Sequence, residues 1–306
     1  MTSHKQACLY AVATALLWST IATAFKLTLQ YLDPWQLVFW SVLTATGFLS
    51  CIVIARGKAP LLRKQARESF WLYIFLGILN PFLYHVVLFG AYELLPAQQA
   101  QALNYSWPLA LSLLAVPLLG NKVSRKDGLC CLAAYFGVLI ISTRGNLQNF
   151  NFDSPLGIAL ILSSTILWAL YWLLNTRQKG DALVSLLLCF LFGMPWIVVS
   201  TAMASNFWPI PLPGLAGAIY IGLIEMGIAY VLWLKALKLA TNTTAISNIS
   251  YLSPFLSLFF IALVLGESIH PSTYLGLTMI IASVIVQQRS ATVRKAEQPL
   301  MEAGQN

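Results

Sequence analysis

From Ala7 to Gln288 the chain is built of long apolar runs separated by short polar connections, and within the runs polar residues are too rare to mark an alternating pattern. A helix needs around 20 apolar residues to cross a hydrocarbon core about 30 Å thick. Ten runs answer to this, at 7–29, 35–55, 69–92, 97–118, 128–143, 155–175, 183–203, 213–236, 243–265 and 271–288, the fifth being short. Strands of a membrane barrel would be shorter and would alternate apolar with polar positions, so the pattern predicts helices. The connections are too brief to fold as domains, which confines any chemistry to the helical bundle. The expected fold is all-α and integral to the membrane, with ten transmembrane helices.

Composition points to the same solvent. Of 306 residues, 58% are hydrophobic and 9% charged, with mean hydropathy +0.75, whereas soluble domains carry about 25% charge. So few charges could not cover two soluble domains of roughly 150 residues each. The net charge of +8 invites a nucleic-acid reading, but the placement of the basic residues argues against it. Lys5 precedes the first run, while Arg56, Lys58, Arg63, Lys64 and Arg67 lie between the second and third, and Lys122, Arg125 and Lys126 between the fourth and fifth. Arg177 and Lys179 follow the sixth, Lys235 and Lys238 end the eighth, and Arg289, Arg294 and Lys295 follow the tenth. Sixteen of the eighteen basic residues thus fall on one side, which the positive-inside rule makes cytoplasmic, together with both termini. Arg144 lies in an outward connection and Lys26 inside the first run.

Smaller features change little. The cysteines at 8, 51, 130, 131 and 189 fit no metal or disulfide spacing and read as small apolar filler. Ala22-Thr23-Ala24 resembles a signal-peptide cleavage site, but the apolar run passes straight through it. The polar stretch after Gln288 reads as an unordered tail.

The chain repeats itself. AYELLPAQQAQALNYSWPLALSLLAVPLLGN, from Ala91, and ALKLATNTTAISNISYLSPFLSLFFIALVLGE, from Ala236, are two versions of one design. At an offset of 146 residues Tyr105 falls on Tyr251, Pro108 on Pro254, Gly120 on Gly266 and Asn121 on Glu267. At an offset of 150, LLW at 16–18 echoes ILW at 166–168. Residues 1–146 and 147–290 then form two repeats of five helices, with 291–306 as a polar cytoplasmic tail and the loop Arg144 to Ser154 as the natural boundary. Five is odd, so with cytoplasmic ends the second repeat inserts upside down relative to the first, as in many secondary transporters.

With the early LLWSTIATAFK, the late YLSPFLSLFFIALVLGESI and the following LGLTMIIASVI, the chain resembles the drug/metabolite transporter superfamily, specifically its EamA-type domains. The resemblance covers essentially the whole chain. The first half departs from it at Asn121, where the glutamate of the Leu-Gly-Glu motif would stand. The resemblance implies a bacterial inner-membrane carrier, commonly an exporter of amino acids or other metabolites, whose substrate is reached from a central cavity between the halves.

Polar residues inside the runs are the candidates for function. Gln101, Asn104, Tyr105, Pro108 and Ser112 recur at steps of three or four, as do Thr244, Asn248, Tyr251 and Pro254 or Phe255. Each set forms one helical stripe that should face inward, because unpaired polar groups against lipid are costly. The alternative is that they tie helices together. The prolines can leave carbonyls free for a ligand. Trp18 and Trp168, at related repeat positions, and Trp107 and Tyr171 are further candidates for pocket walls, with helix packing as the alternative. Trp35, Trp40, Trp71 and Trp208 read as interface anchors.

Three ionisable residues lie within runs. Lys26 either snorkels to the interface or attracts a carboxylate, and His85, just after Asn80-Pro81, either packs or relays protons. Glu225 lies deepest, and a charge at that depth costs at least about 2.5 kcal/mol. Gly217 and Ala229 share its stripe and Gly214, Ala218 and Gly222 recur at four-residue spacing, so another helix can approach closely. Glu225 is read as exchanging protons or binding a cationic substrate group, with a static pair to lysine or histidine as the alternative.

The expected function is alternating-access transport of a small-molecule substrate, with protons as candidate coupling ions and the bilayer as the only other partner; no cofactor, no metal and no enzymatic activity are expected. No G-x-x-x-x-G-K-[ST] loop supports primary pumping. The runner-up carrier is a nucleotide-sugar or phosphorylated-metabolite exchanger, which would need a basic cavity. An intramembrane enzyme is the alternative from another class, but the histidines at 4, 85 and 270 form no H-E-x-x-H and are scattered.

Overall fold

A computed structural model describes residues 3–119, 125–147, 152–175, 180–240, 246 and 249–303. Among these, every regular element is helical. Helices α1 (Ser3–Ser19) and α2 (Ile21–Thr28) form one rod interrupted at Thr20. Helix α3 (Pro34–Ala55) starts on a capping box in which Asp33 accepts from Trp35 N and Gln36 N, with proline at its first position. Helix α4 (Ala59–Glu68) follows in the basic connection. Next come α5 (Phe70–Gly77), a π-type widening over Ile78–Leu83, and α6 (Tyr84–Leu94), again one rod. Helices α7 (Ala97–Asn104), α8 (Trp107–Leu119), α9 (Arg125–Ser142), α10 (Pro155–Asn175) and α11 (Ala182–Ala204) continue the chain. A third interrupted rod joins α12 (Leu212–Ile221), a π-type widening over Gly222–Ala229 and α13 (Tyr230–Leu239), before α14 (Leu252–Leu265) and α15 (Pro271–Ala303).

The protein is a multi-pass membrane protein. Among the described residues, six helical stretches are long and apolar enough to cross a membrane: Lys5–Thr28, Pro34–Ala55, Phe70–Leu94, Pro155–Asn175, Ala182–Ala204 and Leu212–Leu239. Shorter apolar helices cover Gly128–Ser142, Leu252–Leu265 and Pro271–Gln287.

Several expectations are revised. The basic connection after the second run is not bare loop, because Pro60 starts a helix whose Gln65 side is buried. The third run breaks at Asn80 (φ −149°, ψ 119°), because a following proline pushes a residue out of the α region. The fourth and ninth runs are each interrupted, at Tyr105-Ser106 and at Tyr251. The stretch beyond Gln288 continues α15 as helix to Ala303, in keeping with its Ala, Arg, Lys, Glu and Met content. Asn121, Thr244 and Asn248, and the middle of the 144–154 connection, lie outside the described residues.

Packing is reciprocal between the two halves. Helix α1 packs on α13 as α10 packs on α6; α3 packs on segment 222–229 as α11 packs on segment 78–83; α3 lies along α12 as α11 lies along α5. Pairs α3 with α11 and α9 with α15 close the arrangement. The α9–α15 crossing is glycine on glycine, since a Cβ on Gly137 would sit 2.7 Å from the Gly276 carbonyl oxygen.

Polar ties staple α3 to α11 at both ends. At one end Ser205 Oγ donates to the Asp33 carboxylate and Gln36 Nε2 donates to the Asn206 carbonyl at 2.9 Å. At the other, Asp181 caps α11 by accepting from Leu183 N and Val184 N at 3.1 and 3.2 Å and pairs with Lys58 Nζ. Buried Gln65 of α4 joins this end, accepting from Asp181 N at 3.3 Å and donating to Ser185 Oγ at 3.2 Å. Burial pushes the Asp181 carboxyl up, but the Lys58 ammonium and the two N–H groups outweigh it and hold the pKa below 3.8. A depressed carboxyl pKa contributes stability that is complete above the unfolded value and is lost as pH falls through the folded one. Asp181→Asn keeps most of the cap and removes the charge. It should therefore cost about 0.2–1 kcal/mol at pH 7, with a gap to the parent that closes below pH 3.8, read from melting in detergent at both pH values.

Candidate functional site

A cavity of about 110 Å³ lies at the helix interruptions, between elements of both halves. Trp18 reaches it from α1 and Ile21 and Phe25 from α2; α6 supplies Tyr84, Leu88 and Tyr92; α7 supplies Gln101 and Asn104. Tyr105 and Trp107 line it around the break after α7, Trp168 from α10, Glu225 from the widened segment, Tyr230 from α13, and Ser250 and Tyr251 ahead of α14. Eight sequence candidates thus meet in one place: Trp18, Gln101, Asn104, Tyr105, Trp107, Trp168, Tyr251 and Glu225.

The aromatic lining residues that sequence reasoning missed are Tyr84, Tyr92, Phe25 and Tyr230. A signal for two of them was available, since Tyr84 and Tyr230 are 146 residues apart, the offset that relates Tyr105 to Tyr251. The aromatic wall is accordingly paired across the halves. Trp168 packs on Tyr84 with centroids 4.7 Å apart, Trp18 meets Tyr230 edge-on at 6.4 Å, and Tyr230 also reaches Trp168 at 6.0 Å. Tyr171 stands one layer back, stacked on Trp168 at 5.9 Å.

Glu225 is 9% exposed and sits in the widened turn. That turn shifts the helical register. Gly222 backs onto Ser41 and Thr44 of α3, Gly227 onto Phe48 and Gly217 onto Thr28, while Glu225 faces the cavity. His85 is fully buried behind the acid, its Nε2 3.8 Å from Glu225 Oε1. Its Nδ1 lies 2.9 Å from the Pro81 carbonyl; a carbonyl only accepts, so Nδ1 carries the hydrogen. Nε2 is then the ring's acceptor nitrogen. Neither it nor Glu225 Oε2 has a hydrogen-bond partner among the described residues, and 3.8 Å exceeds a direct hydrogen bond. The pair can hold one proton as neutral imidazole with carboxylic acid or as imidazolium with carboxylate. His85 owes its place to the break at Asn80-Pro81, which supplies the Pro81 carbonyl.

Lys26 does not reach the cavity. Its Nζ donates to the carbonyls of Tyr92 at 2.6 Å and Glu93 at 3.4 Å, within a polar cleft that also holds Glu267. Tyr92 divides cleft from cavity: its hydroxyl donates to Gln101 Oε1 at 2.6 Å and its ring packs on Phe25 at 5.1 Å. In the cleft Glu267 caps α7, accepting from Ala97 N at 2.9 Å and Gln98 N at 3.2 Å, and Gln98 in turn accepts from His270 N at 2.8 Å.

The stripe expected on the fourth run is only half realised. Ser112 donates to Gln287 Oε1 at 2.9 Å and so ties α8 to α15, as the helix-tying reading has it. Pro108 opens α8, where its missing N–H breaks no helical bond. Asn248 lies outside the described residues.

Comparison with known proteins follows this division of the chain. The model of the EamA-like transporter family matches residues 5–143 and again 155–287. The chain belongs to the EamA-like transporter family. Among relatives, an uncharacterized transporter of Archaeoglobus fulgidus is 26% identical over 279 residues, covering 89% of this chain and 93% of that protein. The aromatic amino acid exporter YddG of Ancylobacter novellus is 25% identical, covering 83% of this chain and 87% of its own length. A probable terminal-alkyne amino-acid exporter of Streptantibioticus cattleyicolor is 24% identical, with 94% of each chain covered. A solved crystal structure superposes with a TM-score of 0.66 at 20% identity, covering 96% of this chain and 99% of the other, which shows a shared fold.

Proposed function

We propose that the protein is a secondary transporter of the drug/metabolite transporter superfamily, exporting amino acids or related small metabolites across a bacterial inner membrane by alternating access. In this reading ten spans form two oppositely inserted repeats, 1–146 and 147–290, with both termini cytoplasmic. The reciprocal packing of the halves and the paired aromatic residues support the duplication, and the family match to two successive segments agrees with it. The names of two amino-acid exporters among the relatives support the cargo class.

The observation that carries the proposal is the asymmetry of an otherwise paired cavity. At the repeat offset of 146 Glu225 answers to Leu79 and His85 to Val231, so acid and base are each unique to one half and meet at 3.8 Å. Buried ionisable groups within spans mark transport pathways and proton relays. Proton exchange at this pair couples the rocking of the halves to a pH gradient. A phosphorylated cargo is disfavoured, because the described lining contains no lysine or arginine, and an intramembrane enzyme is disfavoured by the same aromatic, nucleophile-poor wall.

The test is flux in proteoliposomes with and without an imposed pH gradient, using a panel of amino acids and related amines. Uptake of at least one solute that rises with the gradient and collapses with a protonophore is expected. Gradient-independent flux of every solute would remove proton coupling, and no flux of any would remove the carrier reading.

A further inference from the structure

The charge inside the cavity is one-sided. Its described lining contains one carboxylate, Glu225, and no cationic side chain. Lys26, the nearest basic residue of the first rod, is turned into the outer cleft with its ammonium on the Tyr92 and Glu93 carbonyls. The Asn104 amide is engaged by Ser164 at 3.2 Å and the Gln101 carbonyl by Tyr92 at 2.6 Å. A buried carboxylate ligand would meet the Glu225 carboxyl in a lining without a cationic side chain, His85 standing behind the acid and not in the wall, and an uncompensated buried charge is expensive. A cation meets the reverse: the unpartnered Glu225 Oε2 and aromatic rings contributed by both halves, Trp18 and Tyr230 on one side and Trp168 and Tyr84 on the other, whose faces attract positive charge.

We propose that the solute recognised in this cavity is a compact organic cation, an amine lacking a free carboxylate, seated with its ammonium on Glu225 inside the aromatic ring. The proposal rests on the carrier reading above and narrows its cargo. The exchange is balanced in charge: the incoming ammonium replaces the His85 imidazolium as counter-ion of the Glu225 carboxylate, and the Nε2 proton leaves as the imidazole becomes neutral. The ionisable groups that face Glu225 are His85, Tyr84 and Tyr92 of α6 and Tyr230 of α13. From α3 the same segment meets Ser41, Thr44 and Phe48, none of them charged.

A matched set of phenethylamine, phenylalanine and 3-phenylpropionate tests this on the full-length protein, by calorimetric binding in detergent and by flux in liposomes. The amine should bind about 10- to 100-fold more tightly than the zwitterion, the anion weakest of all, and amine binding in weak buffer should release protons. Glu225→Gln should abolish the preference; Glu225→Asp, which keeps the charge, should retain it and guards against loss through misfolding. His85→Gln should retain the preference and lose the proton release. Equal or tighter binding of phenylalanine, or a preference for the amine that survives in Glu225→Gln, overturns the cation site. Glu225-dependent amine binding without flux under any gradient leaves the cation site standing and removes the carrier reading, whereas gradient-driven phenylalanine flux that the amine inhibits no better than the anion does the opposite.

Discussion

Glu225→Gln is expected to yield a protein that folds, inserts and no longer responds to a pH gradient. The amide has the size of the acid and stays neutral at every pH, so it can offer His85 a hydrogen-bond partner but cannot exchange a proton or counter a charge. A hydrogen bond to a charged group contributes about 1.5–3 kcal/mol, and each 1.4 kcal/mol is tenfold, so gradient-driven flux should fall about 10- to 100-fold. Size-exclusion behaviour equal to the parent would show that the loss is functional. If the variant transports with undiminished pH dependence, the buried acid is a packing element and the coupling scheme is wrong.

Gly222→Ala is expected to produce the largest loss of stability of any one-carbon change in the bundle. A Cβ at Gly222 would fall on the Ser41 carbonyl oxygen of α3 and 2.8 Å from Thr44 Cβ. The first obstacle is backbone and cannot rotate away, so the helices must separate, at a cost of about 1–3 kcal/mol for overpacking. Glycine to alanine normally stabilises a helix, by about 0.8–1 kcal/mol, which makes the sign diagnostic. Gly47, on α3 itself, has nothing within 4 Å of an added Cβ. Gly47→Ala should therefore hold or raise the melting temperature while Gly222→Ala lowers it by several degrees. Because the widened segment that carries Glu225 starts at Gly222, displaced packing there should also weaken transport.

The places where sequence reasoning stopped share a cause. Interruptions in the spans were only partly visible: Asn80-Pro81 marks one, but the breaks at Thr20 and Tyr251 carry no proline at the break itself. The widening over Gly222–Ala229 is likewise unmarked. Glu267 stood out as the glutamate of the Leu-Gly-Glu motif, yet its role as the cap of α7 joins residues some 170 positions apart, a distance no local pattern spans.

Sequence alone determined the solvent, because a chain 58% hydrophobic and 9% charged can bury its surface only in lipid, and lipid admits only structures whose backbone hydrogen bonds are satisfied within helices or closed barrels. It also carries residue identities at fixed offsets between the two segments that the EamA-like family model matches in turn, 5–143 and 155–287. Only the tertiary structure decided what the polar residues do. Whether Lys26 reaches a cavity or a cleft, whether Ser112 faces a substrate or Gln287, and that His85 stands behind Glu225 all depend on how helices distant in the chain are rotated against one another, and that rotation is set by close packing of both surfaces at once.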